Sequence, residues 1–338
     1  MKDVYILGIE TSCDETSISI IKNGKEEIYT AILTQMDTHA NFGGVVPEIA
    51  SRMHTENITM VLEEVLNNSS VTMDDVDAIA VTYAPGLVGS LLVGIEFAKA
   101  LAFAYDKPLI AVNHIVGHIY ANNLVKEMTF PSLGLVVSGG HTELLLLNDD
   151  YDFTLLGSTL DDAIGECYDK IARIIGLPYP GGPNIEKYAE SGKVTYEFPT
   201  PMKDESLNFS FSGLKSYIIN FVHNEKQRGN KINDFDLAAS FEDVALGEII
   251  DKTRLAINKT GAKNLIVAGG VSANKHLRQK LEDLAKEEGI DLSIPPIKYC
   301  TDNAAMIACA AYPLYKKEAF ADFDLNARCE DKHFNIKD

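Results

Sequence analysis

Two histidines four residues apart, His114 and His118, carry the clearest chemistry in this chain. On a helix this spacing places two imidazoles one above the other on one face, a geometry that suits one divalent metal ion. The spacing alone is weak evidence, because two partly exposed surface histidines can share it. The apolar run 108–112 strengthens it, since it predicts a buried strand that delivers His114 at its carboxyl end, where open α/β sheets bind ligands.

Four turns combine small and polar residues after an apolar run, at 11–16, 84–90, 138–142 and 269–274. Glycine lets the backbone approach a ligand closely, and free N–H groups at a helix N-terminus complement phosphate oxygens. Each turn alone is more often an ordinary tight turn, but four in one chain favour a nucleotide site. That site is of neither the Walker nor the Rossmann kind, because the glycine-lysine motif of the first and the glycine fingerprint of the second are absent.

Strands must position these turns. The runs 4–10 and 17–21 predict two strands around the polar turn 11–16, and Asn23-Gly24 predicts a tight hairpin into a third strand. The same strand, polar turn and strand return at 132–147, about 130 residues later. This repetition predicts a duplicated domain.

Helices and buried strands alternate along the rest of the chain, which is typical of an α/β protein. Helical periodicity predicts helices at 47–66, 88–104, 162–175, 214–222 and 237–258, and short apolar runs predict strands at 78–82, 109–112 and 264–268. A further helix is predicted after the turn at 269–274. Asp302 stands where the N-cap of a final helix belongs, and the segment from residue 322 predicts a loop.

The charge balance argues against autonomous nucleic-acid binding. Thirty basic and forty-nine acidic residues give a net charge of −19, which repels a polyanion at long range unless basic residues are gathered locally. The one conspicuous basic stretch, 223–231, predicts a solvated loop. A nucleic-acid substrate would therefore require a partner protein.

The chain of 338 residues, 46% of them hydrophobic and 23% charged, is long enough for two lobes and a large core. It shows neither a signal peptide nor an uninterrupted apolar span, so we expect a cytoplasmic protein without a membrane anchor. Its cysteines form no Cys-x-x-Cys pair and are expected to be reduced, mostly buried thiols: Cys13, Cys167, Cys300, Cys309 and Cys329.

The paired polar hairpins resemble the phosphate loops of the actin, hexokinase and Hsp70 superfamily. A closer resemblance covers nearly the whole chain and is carried by nine motifs, at 8–16, 43–52, 85–91, 114–118, 138–142, 161–166, 179–183, 209–215 and 269–274. These motifs look like those of the TsaD family of tRNA threonylcarbamoyladenosine synthases. The variant His-Ile-Val-Gly-His-Ile-Tyr-Ala at 114–121 looks like the bacterial branch.

The resemblance implies an α/β protein with an actin-like, Hsp70-like fold, in which two duplicated lobes close over a cleft. We therefore expect an N-terminal lobe at 1–131 and a C-terminal lobe at 132–302. A helix at 303–320 is expected to pack back on the N-terminal lobe, and 321–338 is expected to form a tail.

The resemblance also implies ligand-binding residues. One divalent metal ion, usually iron in the family, would be bound by His114, His118 and Asp302. Zinc and manganese stay open, because imidazole and carboxylate accept them too. The implied nucleotide-binding residues are Val137, Ser138, Gly139, Gly140, His141, Asp169, Gly182, Glu186 and Asn274.

The implied reaction transfers a threonylcarbamoyl group from threonylcarbamoyl-AMP to the exocyclic amine of adenosine 37, in tRNAs that read codons beginning with A. That amine is a poor nucleophile, so the donor must be a mixed anhydride with AMP as leaving group. Asp14 and Glu15 are candidates for positioning the amine or relaying its proton, with a turn or cap role as the alternative. The resemblance further implies the partner proteins TsaB and TsaE.

Three other functions fit the sequence less well. A metalloprotease would need His-Glu-x-x-His, whose glutamate is the general base, whereas Ile115, Val116 and Gly117 separate the histidines here. An ATP-driven module of the actin or Hsp70 type has no task for two metal-binding histidines. Sugar phosphorylation on the same fold would require a catalytic acid that the sequence does not single out.

Overall fold

The computed structural model describes residues 2–202, 204–329 and 335–336. The chain forms two compact units, one of Met1–Met128 with Pro295–His333 and the other of Thr129–Ile294 with Phe334–Asp338. Of the expected tail, 321–338, residues 330–334 and 337–338 lie outside the described residues. Among the helices described, none is long and apolar enough to span a bilayer.

The first unit is built on a five-stranded sheet. Its strands are β1 (Tyr5–Glu10), β2 (Glu15–Lys22), β3 (Glu26–Thr34), β4 (Ala78–Ala84) and β5 (Leu109–Asn113), in the order β3-β2-β1-β4-β5. The first three strands are antiparallel neighbours, and β4 and β5 continue the sheet in parallel with β1. Its first helices are α1 (Met36–Ala40), α2 (Pro47–Asn68), α3 (Val88–Ala104) and α4 (His114–Tyr120).

The second unit repeats this topology. Its strands are β6 (Ser132–Val137), β7 (Thr142–Asp149), β8 (Asp152–Ser158), β9 (Asn264–Ala268), β10 (Asp291–Ser293) and β11 (Asn335–Ile336), in the order β10-β9-β6-β7-β8-β11. β6 to β8 are antiparallel, and β9 and β10 run parallel to β6. Its helices are α5 (Ile164–Ile174), α6 (Gly181–Ala189), α7 (Ser212–Gln227), α8 (Asp234–Thr260) and α9 (Lys275–Glu288). The predicted duplication is therefore visible in the strand order.

Each unit has its own apolar core. In the first unit Ile9, Ile18 and Ile79 from the sheet pack with the buried faces of α2 and α3. In the second unit Leu135 and Leu144 pack with the faces of α5, α7 and α8. The continuous burial of the parallel strand β4 follows from this layering.

The final helix, α10 (Ala304–Lys316), belongs to the first unit. The predicted N-cap at Asp302 is wrong, because Asn303 is the cap and its side-chain oxygen accepts from the backbone N–H of Met306. Because the cap lies one residue later than predicted, the carboxylate of Asp302 does not cap the helix. The helix also ends four residues before the predicted position 320, after Pro313 in its last turn.

The basic stretch 223–231 is only partly the loop that was predicted. Its first five residues complete α7, which ends at Gln227, and the rest forms the turn before α8. Nearly all of its side chains are exposed, as expected of a solvated charged segment. Helix α7 continues past its predicted end at residue 222, because polar residues also support an exposed helix face.

Candidate functional site

The histidine pair of the first unit lies where a strand becomes a helix. Buried β5 ends at Asn113, and His114 is the first residue of α4, as the sequence predicted. Asn113 caps this helix, since its side-chain oxygen accepts from the backbone N–H groups of Ile115 and Val116. Helical spacing then brings the ring of His118 beside that of His114, with centroids 4.7 Å apart.

Asp302 completes a set of three residues that could bind one metal ion. Its Oδ1 lies 3.1 Å from Nε2 of His118 and 3.5 Å from Nε2 of His114. One ligand atom from each residue lies within 4.8 Å of the other two, so the three could hold one metal ion. Two imidazoles and one carboxylate are a donor set that transition-metal ions accept while keeping open coordination positions.

A buried glutamate that the sequence reading missed supports His114 from behind. Nδ1 of His114 lies 3.1 Å from Oε2 of Glu10 and 3.1 Å from Oγ of Ser12. Glu10 is fully buried and also accepts from the hydroxyl of Thr82. In the neutral ring, a proton on Nδ1 shared with Glu10 leaves Nε2 unprotonated, as a metal ligand requires. A carboxylate at the end of the apolar run 4–10 was the available signal.

The carboxylates of Glu10 and Asp302 favour positive charge at the two histidines. Burial lowers the pKa of His114, but Asp302 and Glu10 outweigh it and raise that pKa to about 9. Burial raises the pKa of Glu10, yet the contact with His114 brings it below its usual value. Two carboxylates around two imidazoles are therefore arranged to stabilise a cation.

The turn between β1 and β2 carries Asp14 and Glu15. Asp14 is 7% exposed, and Glu15 is the first residue of β2. Burial, followed by the charges of Asp302 and Asp14, raises the pKa of Glu15 to about 10. The raised pKa favours the protonated form of Glu15, which suits a hydrogen-bond donor better than a proton acceptor.

A buried histidine fixes this turn. His54 Nε2 lies 3.0 Å from the carbonyl oxygen of Cys13, and its Nδ1 lies 2.7 Å from the hydroxyl of Thr16. A carbonyl oxygen only accepts, so Nε2 carries the proton and Nδ1 accepts from Thr16. Burial lowers the pKa of His54, which keeps it in this single neutral tautomer.

The corresponding turn of the second unit joins β6 to β7. Ser138 N–H donates to the carbonyl of His141, and His141 N–H donates to Oγ of Ser138, which closes the turn after Val137. Gly139 and Gly140 are exposed, and a Cβ added to either would meet nothing within 4 Å. Their backbone is therefore open to a ligand on the side where a side chain would project.

A second glycine turn, 269–274, lies against the first. β9 pairs in parallel with β6, so both turns leave the same edge of the sheet. Gly269 has a φ of +92°, and a Cβ there would collide with the carbonyl of Val137. Gly270, by contrast, has open space around it. The sheet thus brings together two of the turns predicted to bind a nucleotide.

Helices α5, α6 and α9 supply the other predicted nucleotide residues. Asp169 of α5 accepts the N–H of Gly181 at 2.6 Å, while the backbone of Gly182 borders open space. Glu186 of α6 accepts the backbone N–H of Lys275 at 3.2 Å. Asn274 caps α9 through the N–H of Leu277 at 2.8 Å. Burial raises the pKa values of Asp169 and Glu186, as in sheltered polar sites.

The predicted residues therefore fall into two groups. His114, His118, Asp302, Asp14 and Glu15 belong to the first unit, and the nine predicted nucleotide residues belong to the second. The protease alternative gains no support, because the three residues between the histidines are buried apolar positions of α4. Glu10 contacts Nδ1 of His114, the side away from Asp302, which is unsuited to a base for bound water.

Comparison with known proteins places the chain among tRNA-modifying enzymes. The model of the TsaD family, described as tRNA N6-adenosine threonylcarbamoyltransferase, matches residues 27–309. A protein of that name from Bacillus thuringiensis (strain Al Hakam) is 54% identical over 328 residues, 96% of each chain. Another from Staphylococcus aureus (strain Newman) is 52% identical over 336 residues, 99% of this chain and 97% of the relative.

Solved structures confirm the predicted actin-like α/β fold class. HypF of T. kodakarensis superimposes with a TM-score of 0.65 over 96% of this chain and 49% of its own, at 14% identity. Component A of the (R)-2-hydroxyglutaryl-CoA dehydratase of Acidaminococcus fermentans gives 0.54 over 94% and 99%, at 16% identity. At these identities the likeness concerns the fold alone.

Proposed function

The chain belongs to the TsaD family, and from that membership we propose that it transfers a threonylcarbamoyl group to tRNA. The donor is threonylcarbamoyl-AMP, and the acceptor is the exocyclic amine of adenosine 37 in tRNAs that read codons beginning with A. The observation that carries the proposal is 54% identity, over 96% of both chains, to a Bacillus thuringiensis protein named tRNA N6-adenosine threonylcarbamoyltransferase.

The transfer forms one bond and breaks one. The amine nitrogen attacks the carbamoyl carbon, the carbon–oxygen bond to phosphate breaks, AMP leaves with the electron pair, and the amine loses a proton. We assign the nucleotide end of the donor to the turn 138–141, whose exposed glycine backbone can donate hydrogen bonds to phosphate oxygens. We propose that Asp14 or Glu15, the two carboxylates of the first turn, positions the amine or accepts its proton.

We infer one divalent metal ion per chain, with iron as the first candidate and zinc or manganese as alternatives. His114, His118 and Asp302 would hold it, and Glu10 would orient His114. When bound, the ion supplies Lewis-acid stabilisation of negative charge on the donor. The convergence of three ligand atoms and the supporting carboxylate behind His114 both fit this role.

The negative charge of the chain supports a requirement for partners. A net charge of −19 opposes tRNA binding at long range, so we propose that TsaB and TsaE act with this protein, in the cytoplasm where tRNA is modified. Salt titration of tRNA binding measures the number of phosphate contacts. A steeper salt dependence with the partners present supports the proposal, and equal slopes contradict it.

The decisive experiment is reconstitution. The full chain, TsaB, TsaE, threonylcarbamoyl-AMP and unmodified tRNA are incubated, and nucleosides are analysed by mass spectrometry. We expect threonylcarbamoyladenosine at position 37 and one AMP for each group transferred. A tRNA with guanosine at position 37 is the matched control and should stay unmodified. Release of AMP without modified adenosine would sink the proposal.

A further inference from the structure

A buried carboxylate of the second unit joins three of its helices, α5, α8 and α9. Glu242 of α8 is 3% exposed. Its Oε1 accepts from the hydroxyl of Tyr168 at 3.1 Å and from Nδ2 of Asn274 at 2.7 Å. Its Oε2 pairs with Nδ1 of His276. Neither the motifs of the sequence nor the predicted nucleotide residues include Glu242.

These contacts fix the side-chain amide of Asn274 at both ends. Its oxygen accepts the N–H of Leu277 at the start of α9, and its nitrogen donates to Glu242. A carboxylate only accepts, so the flipped amide would place oxygen against oxygen. An amide nitrogen carries two hydrogens, and one remains for a ligand in a single orientation.

Fold stability alone does not account for a carboxylate at this position. The preceding buried residues of α8 include Leu237, Ala238 and Phe241, and an apolar residue would continue that face. Burial of a charged carboxylate costs free energy that its hydrogen bonds only offset, so apolar replacements of such groups are often neutral or stabilising. The contact with Asn274 offers a functional reason for keeping it.

We propose that Glu242 is a positioning residue for nucleotide binding, which acts by holding the amide of Asn274 in one orientation. The proposal rests on the proposed role of Asn274 as a nucleotide ligand. Tyr168 and His276 complete the hydrogen bonding of the carboxylate: Tyr168 is buried, and the side chain of His276 is 39% exposed. Glu242 itself does not need to touch the nucleotide.

The test compares two substitutions of Glu242 in the full-length protein, with AMP as the probe. Glu242→Met removes the acceptor and should raise the Kd for AMP about tenfold, and the KM for threonylcarbamoyl-AMP similarly, with a smaller change in kcat. Glu242→Gln keeps an oxygen for Asn274 and should bind AMP within about twofold of the parent, because His276 can adopt the accepting tautomer. Calorimetric titration measures the Kd for AMP of both variants, and the reconstituted tRNA assay measures KM and kcat.

A double-mutant cycle shows whether Glu242 acts through Asn274. Asn274→Ala should weaken AMP binding, and adding Glu242→Met to it should cause no further loss. Additive losses would overturn the proposal, as would an unchanged Kd in Glu242→Met. Tyr168→Phe is the matched control, because it removes the other donor to the same oxygen and should leave the Kd unchanged.

Thermal unfolding establishes whether each variant folds. If Glu242→Met does not fold, Glu242→Asp replaces it, because aspartate withdraws the carboxylate by one methylene. An unchanged Kd for AMP in Glu242→Asp also counts against the proposal. If Asn274→Ala binds AMP normally while the parent protein modifies tRNA, the positioning role is wrong and the proposed transferase activity stands.

Discussion

The turn between β1 and β2 and the turn between β6 and β7 occupy the same place in two sheets of the same topology. The first turn is mostly buried, follows the buried carboxylate of Glu10 and contains Asp14. The second is exposed at Gly139 and Gly140 and has no side chains there at all. The same position in a duplicated fold thus carries buried polar side chains in one unit and exposed glycine backbone in the other.

The difference shows that a shared fold does not determine the chemistry of its turns. Strand order determines where each turn lies, while the residues in and beside the turn decide which charge it stabilises. Carboxylates and imidazoles beside the first turn favour a cation, and open backbone N–H groups in the second favour an anion. Substitutions that affect only one of these two preferences test the comparison.

The largest expected effect is loss of the metal. His114→Ala removes one of the three proposed ligands, so we expect metal affinity and tRNA modification to fall about 100-fold or more, while AMP binding by the second unit is unchanged. Metal analysis, the reconstituted tRNA assay and AMP titration measure the three quantities.

Two comparison variants should show no effect and a smaller effect on metal affinity. His223→Ala changes an exposed histidine of α7 and should leave metal content and activity intact. Glu10→Gln keeps all three ligands but weakens the support of His114, so its loss of metal affinity should be about tenfold. Wild-type modification by metal-free His114→Ala would show that the cation is dispensable.

Glycine substitutions should separate packing from ligand binding. A Cβ at Gly8 of β1 would collide with the carbonyl of Ala304 in α10, so Gly8→Ala should reduce the free energy of unfolding by about 1–3 kcal/mol. A Cβ at Gly140 meets nothing, so Gly140→Ala should leave stability within about 1 kcal/mol and raise the Kd for AMP about tenfold. Denaturant unfolding and AMP titration distinguish the two outcomes. Normal AMP binding by Gly140→Ala would remove the ligand-based reason for this glycine.

Much of the fold could be predicted from local pattern. The strand at 264–268 and the helix at 88–104 were predicted at their observed limits, because apolar periodicity and flanking turns mark both. The strand, polar turn and strand at 4–21, which return at 132–147, predicted the duplication. The short helix Met36–Ala40 and the helix Gly181–Ala189 were not predicted, since the first is a single turn and the second begins with two glycines.

The candidate sites were predictable only in part. Spacing of four residues predicted that His114 and His118 would share a helix face, but Asp302 lies 184 residues from His118 and came from resemblance alone. Glu10 and Glu242 were missed because an isolated glutamate in an apolar segment gives no sign of its hydrogen-bond partners. Long-range contacts between such side chains are determined by tertiary packing.

Glu10, which is buried, and Glu143, which is partly buried, sharpen the comparison through pH. Glu10 is satisfied by donors and has a lowered pKa, whereas burial raises the pKa of Glu143, on β7, to about 7. Among the described residues, Oε2 of Glu143 has no hydrogen-bond partner. Because its folded pKa exceeds the unfolded value of 4.5, its contribution to stability is greatest below pH 4.5 and is lost as pH rises through about 7.

Glu143→Gln should therefore match the parent near pH 4.5 and be more stable at pH 8, by about 1–2 kcal/mol. Denaturant unfolding across this pH range measures the difference. Glu63→Gln, at an exposed position of α2, is the control and should show no such trend. A constant difference between Glu143→Gln and the parent at every pH would show that Glu143 has the same pKa in the folded and the unfolded protein.

The smallest expected effect concerns thiols. Burial, followed by the charge of Asp14, raises the pKa of Cys13 in the first turn, and burial raises that of Cys167 in the second unit to about 12. Since the thiolate is the reactive form, iodoacetamide at pH 8 should modify exposed Cys329 and spare both, with tRNA modification unchanged. Peptide mass spectrometry locates the adducts. Rapid labelling of Cys13 with loss of activity would mean that the first turn presents a nucleophile, and the contrast between a cation-binding and an anion-binding turn would then be incomplete.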